Sequence, residues 1–194
     1  MFSHMHLPRT GLALVALAVV TAACGDANLL PPANVVVVED TVTLWAATGT
    51  AIALPSAYDV ILATPARTDR TSSFDFMFDF VRDTLTGDTV PALIPRGALG
   101  LSADGGLLLV ATKFDSLATA PGSGYDPYQP VYLDTNSVVV VRSRSQTCNF
   151  GIASGVYAKV QPLAISVSFR KIILRLVVDP NCGYRGLQLG IPGS

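Results

Sequence analysis

One loop holds the residue types best suited to gripping a ligand. Tyr125-Asp126-Pro127-Tyr128 is followed closely by Tyr132 and Asp134. Prolines stiffen such a loop, tyrosines offer flat faces, and aspartates accept hydrogen bonds. Sugar-binding loops use these ingredients, because sugar C–H faces stack on rings while sugar hydroxyls need acceptors. The loop is therefore a candidate carbohydrate- or peptidoglycan-binding element. The same tyrosines serve equally to seal the end of a β fold, and the sequence leaves both readings open.

Covalent and acid–base chemistry has less to work with. No Gly-rich phosphate loop, GxSxG, CxxC or metal-ligand spacing occurs, so no catalytic residue, metal ligand or cofactor is assigned. A Ser154–Lys159 dyad has nothing beyond proximity in sequence to recommend it. Paired carboxylates of the glycosidase kind need two acids ~5–10 Å apart across strands, a placement that sequence does not give. A histidine-free carboxylate hydrolase is accordingly the weakest of three functional readings. His4 and His6 are the only histidines, and both precede Cys24.

That position matters because of what residues 1–24 look like. Arg9 heads an apolar run, residues 11–23, whose end is Thr21-Ala22-Ala23-Cys24. Thirteen helical residues cover roughly 20 Å, too short for a ~30 Å hydrocarbon core. A basic head, a short apolar run and small residues at its end make an export leader. Ala22, Ala23 and Cys24 resemble the cleavage box of bacterial lipoprotein signals, with Thr21 where an aliphatic residue is usual. The resemblance covers the first 24 residues only. It implies removal of residues 1–23, acylation of Cys24 and a membrane anchor with several acyl chains. Gly25 in place of Asp favours the outer membrane under the sorting rule of such lipoproteins.

Without the leader, 171 of the 194 residues remain, enough for one domain with its own core. With both histidines gone, no Ser-His-Asp or Cys-His catalysis and no His-ligated metal can operate. Arg9 leaves as well, so twelve bases face fourteen acids, and no basic field exists to hold nucleic acid. Cys148 and Cys182 are the remaining thiols, and in an oxidising compartment they pair most simply with each other. A loop of that length gives about 4 kcal/mol in the chain-entropy model.

The elements that must position all this read as strands. Glu39 is the only glutamate and lysines are few, whereas Val, Leu, Thr and Phe abound. Residues 24–34 form a lipid-bearing tether stiffened by Pro31 and Pro32, and residues 35–194 one all-β domain. Strands are expected over residues 35–47, 51–63, 74–81, 107–112 and 136–144, with a terminal hairpin at 155–167 and 168–178. The alternation of Phe74, Phe76, Phe78 and Phe80 with Asp75 and Asp79 predicts rings in the core and carboxylates in solvent. Lys171 and Arg175 are likewise expected to face solvent. Pro91 and Pro95 assign residues 90–101 to a sheet edge or a crossing loop, and Asp104-Gly105 predicts a hairpin turn. The fold class is an antiparallel β-sandwich, with a barrel as the alternative. The functional expectation is a lipid-anchored, non-enzymatic envelope protein that acts as a structural or protein-interaction module.

Overall fold

The computed structural model describes residues 30–148 and 151–192. The leader, Cys24 and most of the tether lie outside these residues. Residues from Pro32 onward form one compact unit.

The described residues form twelve short-to-medium strands: β1 (Val38–Trp45), β2 (Ala57–Asp59), β3 (Thr64–Ala66), β4 (Phe76–Arg82), β5 (Thr89–Pro95), β6 (Gly106–Val110), β7 (Val131–Tyr132), β8 (Val138–Arg142), β9 (Gln146–Thr147), β10 (Ala153–Ser154), β11 (Tyr157–Ser166) and β12 (Lys171–Asp179). They build two antiparallel five-stranded sheets, ordered β1-β12-β11-β8-β6 and β3-β2-β4-β5-β7, and a small β9–β10 pair. The sheets do not close into a barrel; the fold is a β-sandwich.

Period-two alternation explains the main core. Val42 and Leu44 from β1, Val139 and Val141 from β8, and Ile172, Leu174, Leu176 and Val178 from β12 face Phe76, Phe78 and Phe80 of β4. Phe78 and Phe80 meet edge to face at 5.4 Å, a favoured aromatic geometry. Phe74, the first ring of the ladder, is buried too but belongs to a satellite cluster with Ala57 and Ala66.

Several sequence expectations are corrected. Asp75 and Asp79 are buried, not solvated. Asp75 receives an ion pair from Arg144, and Asp79 receives the Thr48 hydroxyl and the Arg170 guanidinium. Alternation places a residue on a face, and here other segments cover that face. Second, β5 is not an edge, since it pairs with β4 on one side and β7 on the other. The Pro91 carbonyl accepts from Leu133 N, so the ring nitrogen, on the same side of the strand, also faces short β7 and leaves the β4 ladder intact. Third, Asp104-Gly105 makes no hairpin. Asp104 accepts Ser145 N, and β6 pairs with β8 instead. The expected strand over residues 51–63 shrinks to β2, its first half being turn.

The first sheet is buried on both faces. Val138, Val140, Tyr157 and Val177 point away from the main core into a second one with Phe114, Leu117, Ala120 and Leu187. Two segments supply that outer layer: the stretch around the 3-10 turn Phe114–Ser116, and the chain beyond β12. A backbone bond from Leu187 N to Ala118 O, and one from Ala120 N to Arg185 O, stitch the two segments together. Arg175 therefore lies beneath this layer, against the Phe114 ring at 4.4 Å and paired with Glu39 and Asp115, rather than free in solvent.

The Cys148–Cys182 disulfide is present. It holds the turn after β12 to the end of the β9 strand region. Beside it, Asn181 Oδ1 accepts from Asn34 N and Val35 N, so the chain enters the domain tied to that same turn.

The two sheets are clamped by Arg144, just past β8. Its guanidinium donates to Asp59 at 2.9 Å and to Asp75 at 3.1 Å, both acids belonging to the second sheet's side. Asp75 also accepts Val60 N and Arg144 N, and Asp59 accepts Ile61 N and Leu62 N. Burial pushes the Asp75 carboxyl upward against the pull of Arg144 and these N–H groups. Removing one partner of a buried ion cluster leaves uncompensated charge, which costs about 3–5 kcal/mol. Arg144→Met should lower the urea-unfolding free energy by about that amount at neutral pH. The loss should shrink at acid pH, where the orphaned Asp75 carboxyl, already pushed upward by burial, can protonate; an equal loss at both would show that the clamp acts only by packing.

Candidate functional site

Tyr125, Asp126, Tyr128, Tyr132 and Asp134 lie on a crossing between the two sheets. Asp126 bridges to Leu107 of β6, an edge of the first sheet, while Tyr132 of β7 pairs with Ala92 in the second. The loop thus closes one open side of the sandwich. Tyr125 packs against Tyr157 at 5.9 Å, lies under the Arg142 guanidinium at 5.3 Å and donates its hydroxyl to Pro121 O. Burial pushes that hydroxyl's pKa upward. Tyr125 packs against the second core, on the outer face of the first sheet.

The aspartates are engaged at home. Asp126 accepts Tyr128 N and Gln129 N, and Asp134 accepts Asn136 N and the Ser137 hydroxyl, each an Asx-type turn. Two flat faces remain open, Tyr128 at 57 % exposure and Tyr132, on separate parts of the crossing. Asp134 also lines a shallow groove of about 410 Å³ beside Leu109 and Ala111.

Asp59 and Asp75 do meet, but Arg144 bridges them and both are buried under neighbouring backbone; Glu39 and Asp115 likewise meet only across Arg175. A group with lone pairs so fully claimed has no free acceptor to offer a substrate.

Lys159 is the most unusual polar residue of the first sheet. Only 5 % exposed, it sits in the outer-layer core among apolar neighbours. Its ammonium donates to Phe114 O and Leu117 O, both at 2.9 Å, and lies 4.7 Å from the Phe114 ring centre. Glu39, Asp115, Arg175 and Leu187 share with it a cavity of about 190 Å³. That is smaller than the ~300–1,000 Å³ of sites that enclose drug-sized ligands. Its geometry is that of a fastener, in which one ammonium ties the 3-10 turn to β11. Alternation of β11 hinted at nothing here, since a lone lysine in an apolar strand reads as a solvated tip.

A second feature escapes sequence reasoning, namely the tip of the β11–β12 hairpin. Val167 is 71 % and Phe169 67 % exposed, with Leu163 also open on β11. The neighbouring β1–β2 connection adds Ile52, 74 % exposed, and is tied to the tip by Ala46 N to Arg170 O and Arg170 Nε to Thr48 O. Lys171 lies over both the Trp45 and Phe169 rings, at 5.4 and 5.6 Å. Apolar side chains rimmed by cations and gathered at an end of a molecule mark a contact surface. The available signal was Phe169 itself, a large ring at a turn position between two apolar arms.

No family model, curated protein or solved structure matches the chain.

Burial holds the Lys159 ammonium below the ordinary lysine value. The charged form is therefore penalised in the folded state at neutral pH, and the penalty lifts as pH climbs through the folded value towards the unfolded 10.5. Lys159→Met should cost about 1–3 kcal/mol at neutral pH, because two carbonyls lose their donor. The stability gap between wild type and variant should widen as pH rises towards 10.5 in urea titrations. A constant gap would mean that the lysine titrates as if solvated.

Proposed function

We propose that this chain is a lipid-anchored protein of the bacterial cell envelope, held at the outer membrane through acylated Cys24, whose sandwich is a non-enzymatic interaction module. The observation that carries the reading is the hairpin tip. Val38 pairs with Val178 where the chain enters the domain, and Trp45 pairs with Lys171 at the tip. These ends are separated by seven strand steps, about 23 Å. An exposed apolar surface at the end away from the tether is where a partner protein in the envelope would be met. The disulfide suits an oxidising compartment, in line with export.

A carbohydrate reading of the crossing loop keeps Tyr128 and Tyr132 as stacking faces. It predicts glycan binding lost in Tyr128→Ala, with Tyr125→Ala destabilising the fold instead.

Cys24→Ser should move the protein from the membrane to the soluble fraction, and unchanged fractionation would refute the anchor. A photo-crosslinking residue in place of Phe169 should yield a discrete adduct in intact cells. The same residue in place of Leu85, which is more exposed, should not. Equal smears from both positions would refute the tip as an interaction surface.

A further inference from the structure

The tether end carries its own exposed apolar surface. Val35, Val36 and Val38 are exposed where the chain enters the domain, and so are Leu189 and Ile191. The Val37–Gly190 bridge lays these two stretches side by side, with Val37 itself buried beneath. Asn181 fixes the entering strand from behind, through Asn34 N, Val35 N and Val35 O. The surface is aliphatic; Glu39 beside it is paired with Arg175, and the exposed Asp40 carboxylate accepts Thr41 N at its margin.

We propose that this surface rests in the headgroup–acyl boundary of the bilayer leaflet that holds Cys24, so that the sandwich stands with its hairpin tip pointing away from the lipid. The proposal builds on the lipid-anchor reading given above. Two facts choose lipid as the occupant. Cys24 precedes Val35 by eleven residues, and at no more than about 3.6 Å per residue even a fully extended tether cannot carry the surface beyond ~40 Å from the anchored residue. A tether that short holds the surface near the bilayer at an effective concentration in the millimolar range, enough for a patch too weak to bind lipid unaided. The exposed side chains of the patch are aliphatic, with no lysine or arginine among them, so docking should need no anionic lipid and should resist salt. Immersion by 5–10 Å, the usual depth for interfacial apolar groups, would cover Val36 and Val38 without reaching Trp45.

The single tryptophan makes the orientation measurable. In a Trp45→Phe background, Val36→Trp or, as a second reporter, Val38→Trp is placed in the full lipidated chain on phosphatidylcholine vesicles containing brominated acyl chains. Unchanged melting temperatures certify each variant as folded. Emission from the introduced tryptophan should fall about twofold or more, equally at low and high salt, as expected for interfacial depth. Phe169→Trp in the same background should keep its full emission. Full emission at positions 36 and 38 while the protein still floats with the vesicles would overturn the docking and leave the anchor reading intact. Failure to float with the vesicles would overturn both. A reporter shielded from bromine and from aqueous iodide alike would mean that a second copy or another protein covers the surface, and that also overturns the proposal.

Discussion

Arg144 is the point on which the two sheets agree. It leaves β8 of the first sheet and ends between Asp59 and Asp75, which belong to β2 and the approach to β4. Apolar packing between sheets is tolerant of sliding, because one valine or phenylalanine fits nearly as well a step along. A guanidinium fork between two carboxylates, each also held by backbone N–H groups, is not tolerant. It sets where β8 stands relative to β2 and β4, and with that the register in which Val139 and Val141 meet Phe76 and Phe78. Desolvating three charges makes such a cluster a poor source of net stability, so fixing register is the role that the surroundings support.

With the sheets fixed, the first of them becomes a central layer. Its β8 reads Val138-Val139-Val140-Val141, and the run is apolar because both faces are covered. One face meets the phenylalanine ladder and the other the layer carried by Phe114, Leu117 and Leu187. Lys159 and Arg175 belong to this second face, which is why neither behaves as a surface cation. One ties down the 3-10 turn through two carbonyls, and the other joins Glu39 to Asp115 across it.

Much of the fold was legible in the residues. The period-two ring ladder of β4, the apolar face of β12 and the terminal hairpin all follow from alternation, and the Cys148–Cys182 pairing from the small number of thiols. What failed shares one cause. Alternation assigns a residue to a face but says nothing of what lies over that face, so Asp75 and Asp79 were read as solvated when distant segments bury them, and Arg175 when the Phe114 ring, Glu39 and Asp115 engage it. The prolines of β5 misled for a related reason: a missing N–H excludes a strand from a sheet interior only if a neighbour needs that donor, and β7 does not. Of the candidate loop, the packing of Tyr125 on Tyr157 depends on a partner distant in sequence and was not legible in the loop itself. That Asp126 and Asp134 close their own turns is a local habit of aspartate, and it leaves them less to offer a ligand than their number suggested. Of the hairpin tip only Phe169, a large ring at a turn, was a signal in the sequence; the extent of the exposed surface is a property of the packed molecule.

The outer layer and the sandwich beneath it are secured by different means. Rings and valines interlock within the sandwich, whereas its cladding adds to a smaller apolar core one sulfur–sulfur bond, the Asn181 clasp and the Lys159 fastener. Reducing that bond would release the turn after β12 from the Cys148 segment, while the cladding would keep its apolar contacts, its backbone bonds and the two carbonyls gripped by Lys159.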